Sequence, residues 1–229
     1  MLLVIAHPDD ECMFFAPTIR MFFRMGVQVH VLCLSRGNRD GMGMVREREL
    51  VRSCRILGVA SCVALDELQD GPENVWDADK IESALEDYFE TCTEEITTLM
   101  TFDRFGVSGH PNHCDTGRGV VQFASNTTRG DFAILQLETV PMLSKYMGLF
   151  GIIYEFVLCR LLSSLEGHQE KSRDALRTVA LMPTGEYYGI GVGAMRQHAS
   201  QTVWFRYLYL LLSRYMHVNT LILRKPMGG

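Results

Sequence analysis

One imidazole and three carboxylates fall within a single short run near the start of the chain, Ala6-His7-Pro8-Asp9-Asp10-Glu11. Carboxylates packed this densely repel one another unless a cation or a proton relieves them. The plain alternative is an acidic helix start, in which Asp9, Asp10 and Glu11 complement the helix dipole and His7 is incidental. That motif alone leaves both readings open. A second cluster, Gly109-His110-Pro111-Asn112-His113-Cys114-Asp115, shifts the balance. Two histidines three apart, in a Gly- and Pro-containing loop after a strand, share a sheet edge with His7 if both strands are central. His110 and His113 as ordinary hydrogen-bonding loop residues are the weaker account. A metal site of histidine and carboxylate ligands is the better one.

The elements that position these residues alternate strand with helix. Met1 to Ile5 is apolar and short enough for one buried strand, and Ile96 to Phe102 is a second strand-like run ahead of the His-x-x-His loop. In open α/β sheets ligands bind outside the carboxyl ends of the strands, which is where both clusters fall. A helix from about Glu11 to Met25 ends at Gly26, and Val27 to Leu34 is a strand rich in β-branched residues. A Gly-rich loop, Ser35 to Gly43, precedes a helix from Val45 to Leu57 that Gly58 stops. Cys62 to Leu65 is a short strand, and Asp77 caps a helix running to about Thr93. After the second cluster come a helix from about Asp115 to Ser125 and a strand from Phe132 to Leu137. This order predicts an α/β fold, a Rossmann-like three-layer sandwich with a mostly parallel sheet and helices on both faces. No Gly-x-Gly-x-x-Gly follows the first strand, which argues against a dinucleotide.

The 229 residues suffice for one domain with a full core, expected as an α/β part over 1–140 that carries the metal site and a carboxyl-terminal part over 141–229. A net charge of −5 gives nucleic-acid binding no electrostatic support. Seven scattered cysteines, an odd number without a Cys-x-x-Cys pair, read as reduced thiols in a cytosol-facing compartment. Cys114, beside His113, reads as a small buried cysteine rather than a ligand. The first strand begins at the amino terminus, so no signal or anchor is expected within the chain. Met147 to Leu165 is apolar but carries Glu155 and Arg160, which disfavours spanning a bilayer. Val203 to Met216 interleaves aromatics with Arg206 and Arg214, and Arg224 and Lys225 follow. That mixture suits a helix lying in a membrane interface, with the arginines reaching toward phosphates; a core helix is the alternative.

Three separated blocks carry a family resemblance. They are His7-Pro-Asp-Asp-Glu-Cys-Met-Phe-Phe-Ala-Pro17, Thr101-Phe-Asp-x-x-Gly-Val-Ser-Gly-His-x-Asn-His113 and Ala194-Met-x-x-His-x-Ser-Gln-x-x-Trp-Phe-Arg-x-Leu-Tyr209. In this order, and over nearly the whole chain, they resemble the LmbE-like or PIG-L-like zinc-dependent de-N-acetylases, in the branch acting on N-acetylglucosaminyl-phosphatidylinositol. A lysine that often precedes the Ala-Met pair in that branch is replaced by Val192 and Gly193. The resemblance implies the LmbE/PIG-L-like deacetylase fold with a helical carboxyl-terminal extension. It implies an amide hydrolase for the second step of glycosylphosphatidylinositol anchor synthesis, at the cytoplasmic face of the endoplasmic reticulum membrane. The implied partners are the glycolipid substrate and the membrane surface. The implied cofactor is Zn²⁺, or another divalent ion, on His7, Asp10 and His113. Asp9 is then the general base, His110 stabilises the oxyanion, and Arg46 contacts the substrate beyond the sugar; a solvated Arg46 is the alternative. His198 either approaches the site or packs. Two other functions remain open: a deacetylase of a soluble N-acetylglucosaminide, and a silent binding subunit of the same fold.

Overall fold

Leu2-Leu3-Val4-Ile5 carries no polar side chain, and such a strand belongs where both faces of a sheet are covered. In the computed structural model, which describes residues 1–148, 150 and 176–224, these four residues form β1 and are fully buried. The other strands are β2 (His30–Cys33), β3 (Ser61–Ala64), β4 (Thr98–Phe102), β5 (Ala133–Leu137), β6 (Arg177–Leu181) and β7 (Val218–Arg224). Among the described residues they make one sheet in the order β3-β2-β1-β4-β5-β7-β6. Strands β1 to β5 are parallel, and β7 and β6 continue the sheet by antiparallel pairing.

The chain leaves β1 through α1 (Asp10–Met13) and α2 (Ala16–Arg24), builds β2, crosses through α3 (Gly43–Leu57) and ends this half at β3. It then returns through α4 (Ala78–Thr91) to β4, on the other side of β1, and goes on through α5 (Gly106–Gly109) and α6 (Pro111–Asn126) to β5. Right-handed crossovers put the helices of the two halves on opposite faces; α2 packs against α3, and α4 against α6. The strand order therefore reverses between β1 and β4, whose pairing runs Leu2 to Leu99 and Leu3 to Met100. A crevice at the carboxyl ends of two such strands is the usual ligand position in open α/β sheets.

Several expected boundaries move. The helix expected over Glu11 to Met25 is two helices, α1 and α2, broken at Phe14-Phe15. Pro17 explains the break, since it has no N–H to donate and its ring clashes with the preceding turn. The His-x-x-His segment is not a loop: α6 begins at Pro111, with His110 as its N-cap residue and His113 in its first turn. Proline suits the first turn because the N–H it lacks has no helical partner there. The carboxyl-terminal part, expected to be helical, also contributes β6 and β7 to the sheet. Val218-Asn-Thr-Leu-Ile-Leu-Arg224 is rich in β-branched residues, which fit a pleated surface. Past α7 (Met142–Lys145) and short turns over 184–201, α8 (Trp204–Leu212) is followed by a separate turn, Arg214–Met216, rather than running on to Met216. Most of the apolar stretch Met147 to Leu165, with Glu155, Cys159 and Arg160, lies outside the described residues, as does Lys225. No helix of the described residues is long and apolar enough to cross a membrane.

Candidate active site at the strand reversal

The segment after β1 folds back on itself. Asp10 Oδ2 accepts the backbone N–H groups of Ala6 and His7 at 3.1 and 2.8 Å, which locks this carboxylate beneath the strand end. Between them Asp9 takes φ 119°, a conformation an L-residue adopts at a cost of about 1–3 kcal/mol. Its N–H donates to Glu11 Oε2 at 3.0 Å. Its side chain makes no capping bond to α1, so the acidic-helix-start alternative does not describe it. Instead Asp9 Oδ2 accepts from Arg206 Nη2 at 2.7 Å.

The segment after β4 brings in the histidines. Gly106 has φ 57°, and a Cβ there would lie 2.8 Å from His113 Cβ, so glycine lets α6 approach. The Gly106 carbonyl is 3.2 Å from His113 Nδ1, and Phe102 stacks on the His113 ring with centroids 4.3 Å apart. His113 Nε2 then points at Asp10 Oδ1, 3.2 Å away. His7 Nε2 meets Asp70 Oδ1 at 3.0 Å, and its Nδ1 lies 3.9 Å from Asp10 Oδ2. The His7 ring centroid is 5.1 Å from that of His110 and 5.4 Å from that of His113.

This donor set fits a divalent metal. With its Nδ1–H donated to Gly106, a neutral His113 turns a lone pair toward a carboxylate oxygen. Only a proton or a cation reconciles two acceptors 3.2 Å apart. Nitrogens of His7, His110 and His113 lie within 4.8 Å of one another, and the buried His110 Nδ1 has no partner among the described residues. Asp70 behind His7 and the Gly106 carbonyl behind His113 are the outer groups that orient metal-bound imidazoles. Burial alone would raise the Asp10 carboxyl, but His113, His7 and the backbone N–H hold it well below the usual range. Burial would lower the His7 pKa, and Asp70 and Asp10 raise it instead. His110 is pushed down to about 4 by burial and by the neighbouring His113 and His7, so it is neutral at pH 7. Burial raises Asp9, against the pull of Arg206 and Arg46.

The remaining expected residue, Arg46, is buried rather than solvated. It donates to the Pro8 carbonyl at 2.8 Å, the Gly37 carbonyl at 3.0 Å and Asp70 Oδ2 at 3.1 Å. All six expected residues, His7, Asp9, Asp10, Arg46, His110 and His113, line one cavity of about 360 Å³, together with Asp70 and Arg206. The sequence singles out neither Asp70 nor the inward role of Arg206. Asp70 lies in a turn-like Gln69-Asp70-Gly71-Pro72 with no distinguishing spacing. Arg206 sits in an aromatic run that reads as interfacial, yet it reaches Asp9. Arg214, expected to face lipid phosphates, is buried and donates to Thr220 Oγ1. Cys114 is half-buried, not buried, with a free thiol.

His198 does not enter the cavity. It is fully buried, with Nε2 2.7 Å from Glu11 Oε1, an oxygen that also accepts from Ser53 Oγ at 2.5 Å. Glu11 thus holds the Asp9 peptide through one oxygen and is itself anchored through the other. Chemically, the cavity can present a carboxylate base and a neutral imidazole beside a metal, the set that hydrolysis of an unactivated amide requires.

Comparison with known proteins points the same way. Residues 2–124 match the model of the family described as PIG-L, GlcNAc-PI de-N-acetylase. The chain is 38% identical over 226 residues to N-acetylglucosaminyl-phosphatidylinositol de-N-acetylase of Bos taurus, covering 96% of this chain and 81% of that one. It is 36% identical over 251 residues to the probable enzyme of Dictyostelium discoideum, covering 96% and 92%. Among solved structures, the deacetylase of antimicrobial A40926 pseudoaglycone superposes with a TM-score of 0.65 at 13% identity, covering 100% of this chain and 98% of that one. The N,N'-diacetylchitobiose deacetylase of Pyrococcus horikoshii gives 0.60 at 16%, covering 98% and 83%. At these identities the structures speak for the fold alone. With its cavity, its donor set and these sequence matches together, the chain belongs to the PIG-L family of GlcNAc-PI de-N-acetylases.

Proposed function

We propose that this chain hydrolyses the acetamide of N-acetylglucosaminyl-phosphatidylinositol to acetate and glucosaminyl-phosphatidylinositol, the second step of glycosylphosphatidylinositol anchor synthesis. The observation that carries the reading is the meeting of Asp9 with His7, Asp10, His110 and His113 on one cavity. Its substrate identity follows the relatives' names.

His7, Asp10 and His113 would hold the metal, Zn²⁺ in this reading, which would supply a Lewis acid that polarises the amide carbonyl and lowers the pKa of water toward neutrality. Asp9 accepts the proton of the attacking water. As the new C–O bond forms and the C–N bond breaks, it passes that proton to the departing amine. A carboxyl raised by burial is a better proton acceptor than an ordinary one, and Arg206 keeps it oriented. Neutral His110, on the wall of the same cavity, donates an N–H to the developing oxyanion. Arg46 braces Asp70 and the Pro8 carbonyl and lines the same cavity, where it meets the inositol side of the substrate.

The substrate is a lipid, and the protein carries a matching surface. In α8, Trp204 is 75% exposed, Leu211 69% and Tyr207 65%. Aromatic and apolar groups displayed this way suit the headgroup region of a bilayer, here the cytoplasmic face of the endoplasmic reticulum. A deacetylase of soluble sugars has no use for that face. Purified protein loaded with Zn²⁺ should release acetate from synthetic N-acetylglucosaminyl-phosphatidylinositol in mixed micelles. No acetate from a metal-replete protein overturns the reading.

A further inference from the structure

Beside the catalytic cavity lies a second one of about 390 Å³, and Arg206 belongs to the walls of both. On one side its guanidinium holds Asp9. On the other, Val192, Met195, Tyr207 and Leu210 make an apolar lining whose remaining polar groups include Arg196 and Thr202. Among the described residues no carboxylate lines this cavity. Arg196 is exposed and forms no ion pair among the described residues. Tyr207 is also part of the exposed face of α8. The polar cavity, the guanidinium groups of Arg206 and Arg196 and an apolar recess beside the exposed face of α8 therefore adjoin one another, with Arg206 as the shared wall.

That order matches an amphiphile whose sugar amide, anionic phosphodiester and acyl chains follow one another. We infer that the second cavity is the lipid-side subsite of the enzyme. Arg196 meets the phosphodiester there, as a guanidinium does with paired acceptor oxygens. The methylenes next to the glycerol lie against Val192, Met195, Tyr207 and Leu210. Arg206 separates the two compartments and keeps its charge on Asp9. The subsite rests on the glycolipid reading above and extends it: the enzyme measures the distance from amide to phosphate as well as recognising the sugar.

Two measurements separate the subsite from the reaction. The first is equilibrium binding of dihexanoyl-phosphatidylinositol, below its micelle concentration, to the full chain loaded with Zn²⁺. Arg196→Gln should weaken it about tenfold, and Ala199→Trp, which fills the cavity, should weaken it at least as much. The second compares acetate release from N-acetylglucosaminyl-inositol, its glycerophosphate and its dihexanoyl lipid. Arg196→Gln should raise KM for the two phosphate-bearing substrates, and Ala199→Trp for the acylated one, so that each lowers the lipid-to-headgroup ratio of kcat/KM about tenfold. Unaltered binding together with an unaltered ratio in both variants overturns the subsite. Arg196-dependent binding without acetate from any substrate would keep the subsite and sink the proposed reaction.

Discussion

Two groups of histidine with metal-type ligands lie back to back in this protein, and they reach opposite solutions. In the closed group, Glu11 with Cys12 and His198, the carboxylate and the imidazole answer each other directly. His198 Nε2 and Ser53 Oγ share Glu11 Oε1, and the Asp9 N–H takes Oε2. The Cys12 thiol donates to the Asp9 carbonyl, and burial pushes its pKa well up, so no thiolate is offered. In the open group, His113 Nδ1 and His7 Nε2 are committed to outer acceptors, which leaves nitrogen lone pairs facing Asp10 on a cavity wall. Both groups have ligand atoms close enough to hold an ion. What separates them is whether the protein itself has already neutralised the site.

The largest expected effect tests that distinction directly. His113→Ala should lose both bound metal and turnover, while Cys12→Ala keeps the metal, as read by elemental analysis after dialysis. Metal retained in the first and lost in the second would invert the comparison. Next comes Asp9→Asn, which should keep metal while kcat falls roughly 10²–10⁴-fold, the usual worth of a general base. Asparagine tolerates positive φ, so the backbone at this position is not the confounding factor. Because burial raises Asp9, the acid limb of the wild-type rate profile should lie above the ordinary carboxylate range. A near-normal rate for the variant would mean that Asp9 only orients Arg206.

A smaller effect is expected from the closed group. His198→Ala leaves a buried carboxylate unpaired, which costs about 3–5 kcal/mol of stability. Burial would raise Glu11, yet His198 and Ser53 hold it below its ordinary 4.5; burial would lower His198, yet Glu11 holds it above 6.5. The lowered acid stabilises above 4.5 and loses its contribution as pH falls through its folded value. The raised histidine stabilises below 6.5 and loses its contribution as pH rises through its folded value. The difference between wild type and variant in urea melts should therefore peak between pH 4.5 and 6.5. A flat pH profile would refute the ion pair. The smallest effect is set by Glu186, which binds Arg20 and Arg24 at 3.1 and 2.7 Å near the surface. Glu186→Gln should cost about 0.5–1 kcal/mol at neutral pH. Burial would raise this carboxyl, but the arginines lower it, so the loss should vanish as pH falls through its folded value. A cost equal to that of His198→Ala would show that burial does not set the scale.

How much of this was legible depended on the range of the interaction. The convergence of the candidate residues on one cavity could be read because each cluster is local: His7 and Asp10 follow one strand, His110 and His113 another, and two strands of one parallel sheet bring their carboxyl ends together. The helix boundaries at Phe14-Phe15 and Pro111 moved because capping and proline geometry act on single residues that periodicity averages over. Asp70 and the inward reach of Arg206 left no trace, since each is defined by a partner 63 and 197 positions away, His7 and Asp9 respectively.

Residue type and local spacing were thus enough to determine the α/β class, the strand-end location of the site and the chemistry its side chains can perform. Only the tertiary structure decided which histidine is free and which is spent. His113 and His198 have the same side chain and the same intrinsic affinity for metal. One packs where a backbone carbonyl takes its far nitrogen and a cavity opens at the near one; the other packs directly onto Glu11. The same decision turned Arg206 from a lipid-facing charge into the partner of Asp9. Burial makes an unanswered charge costly, so the identity of the answering group, set by the fold, determines what each residue does.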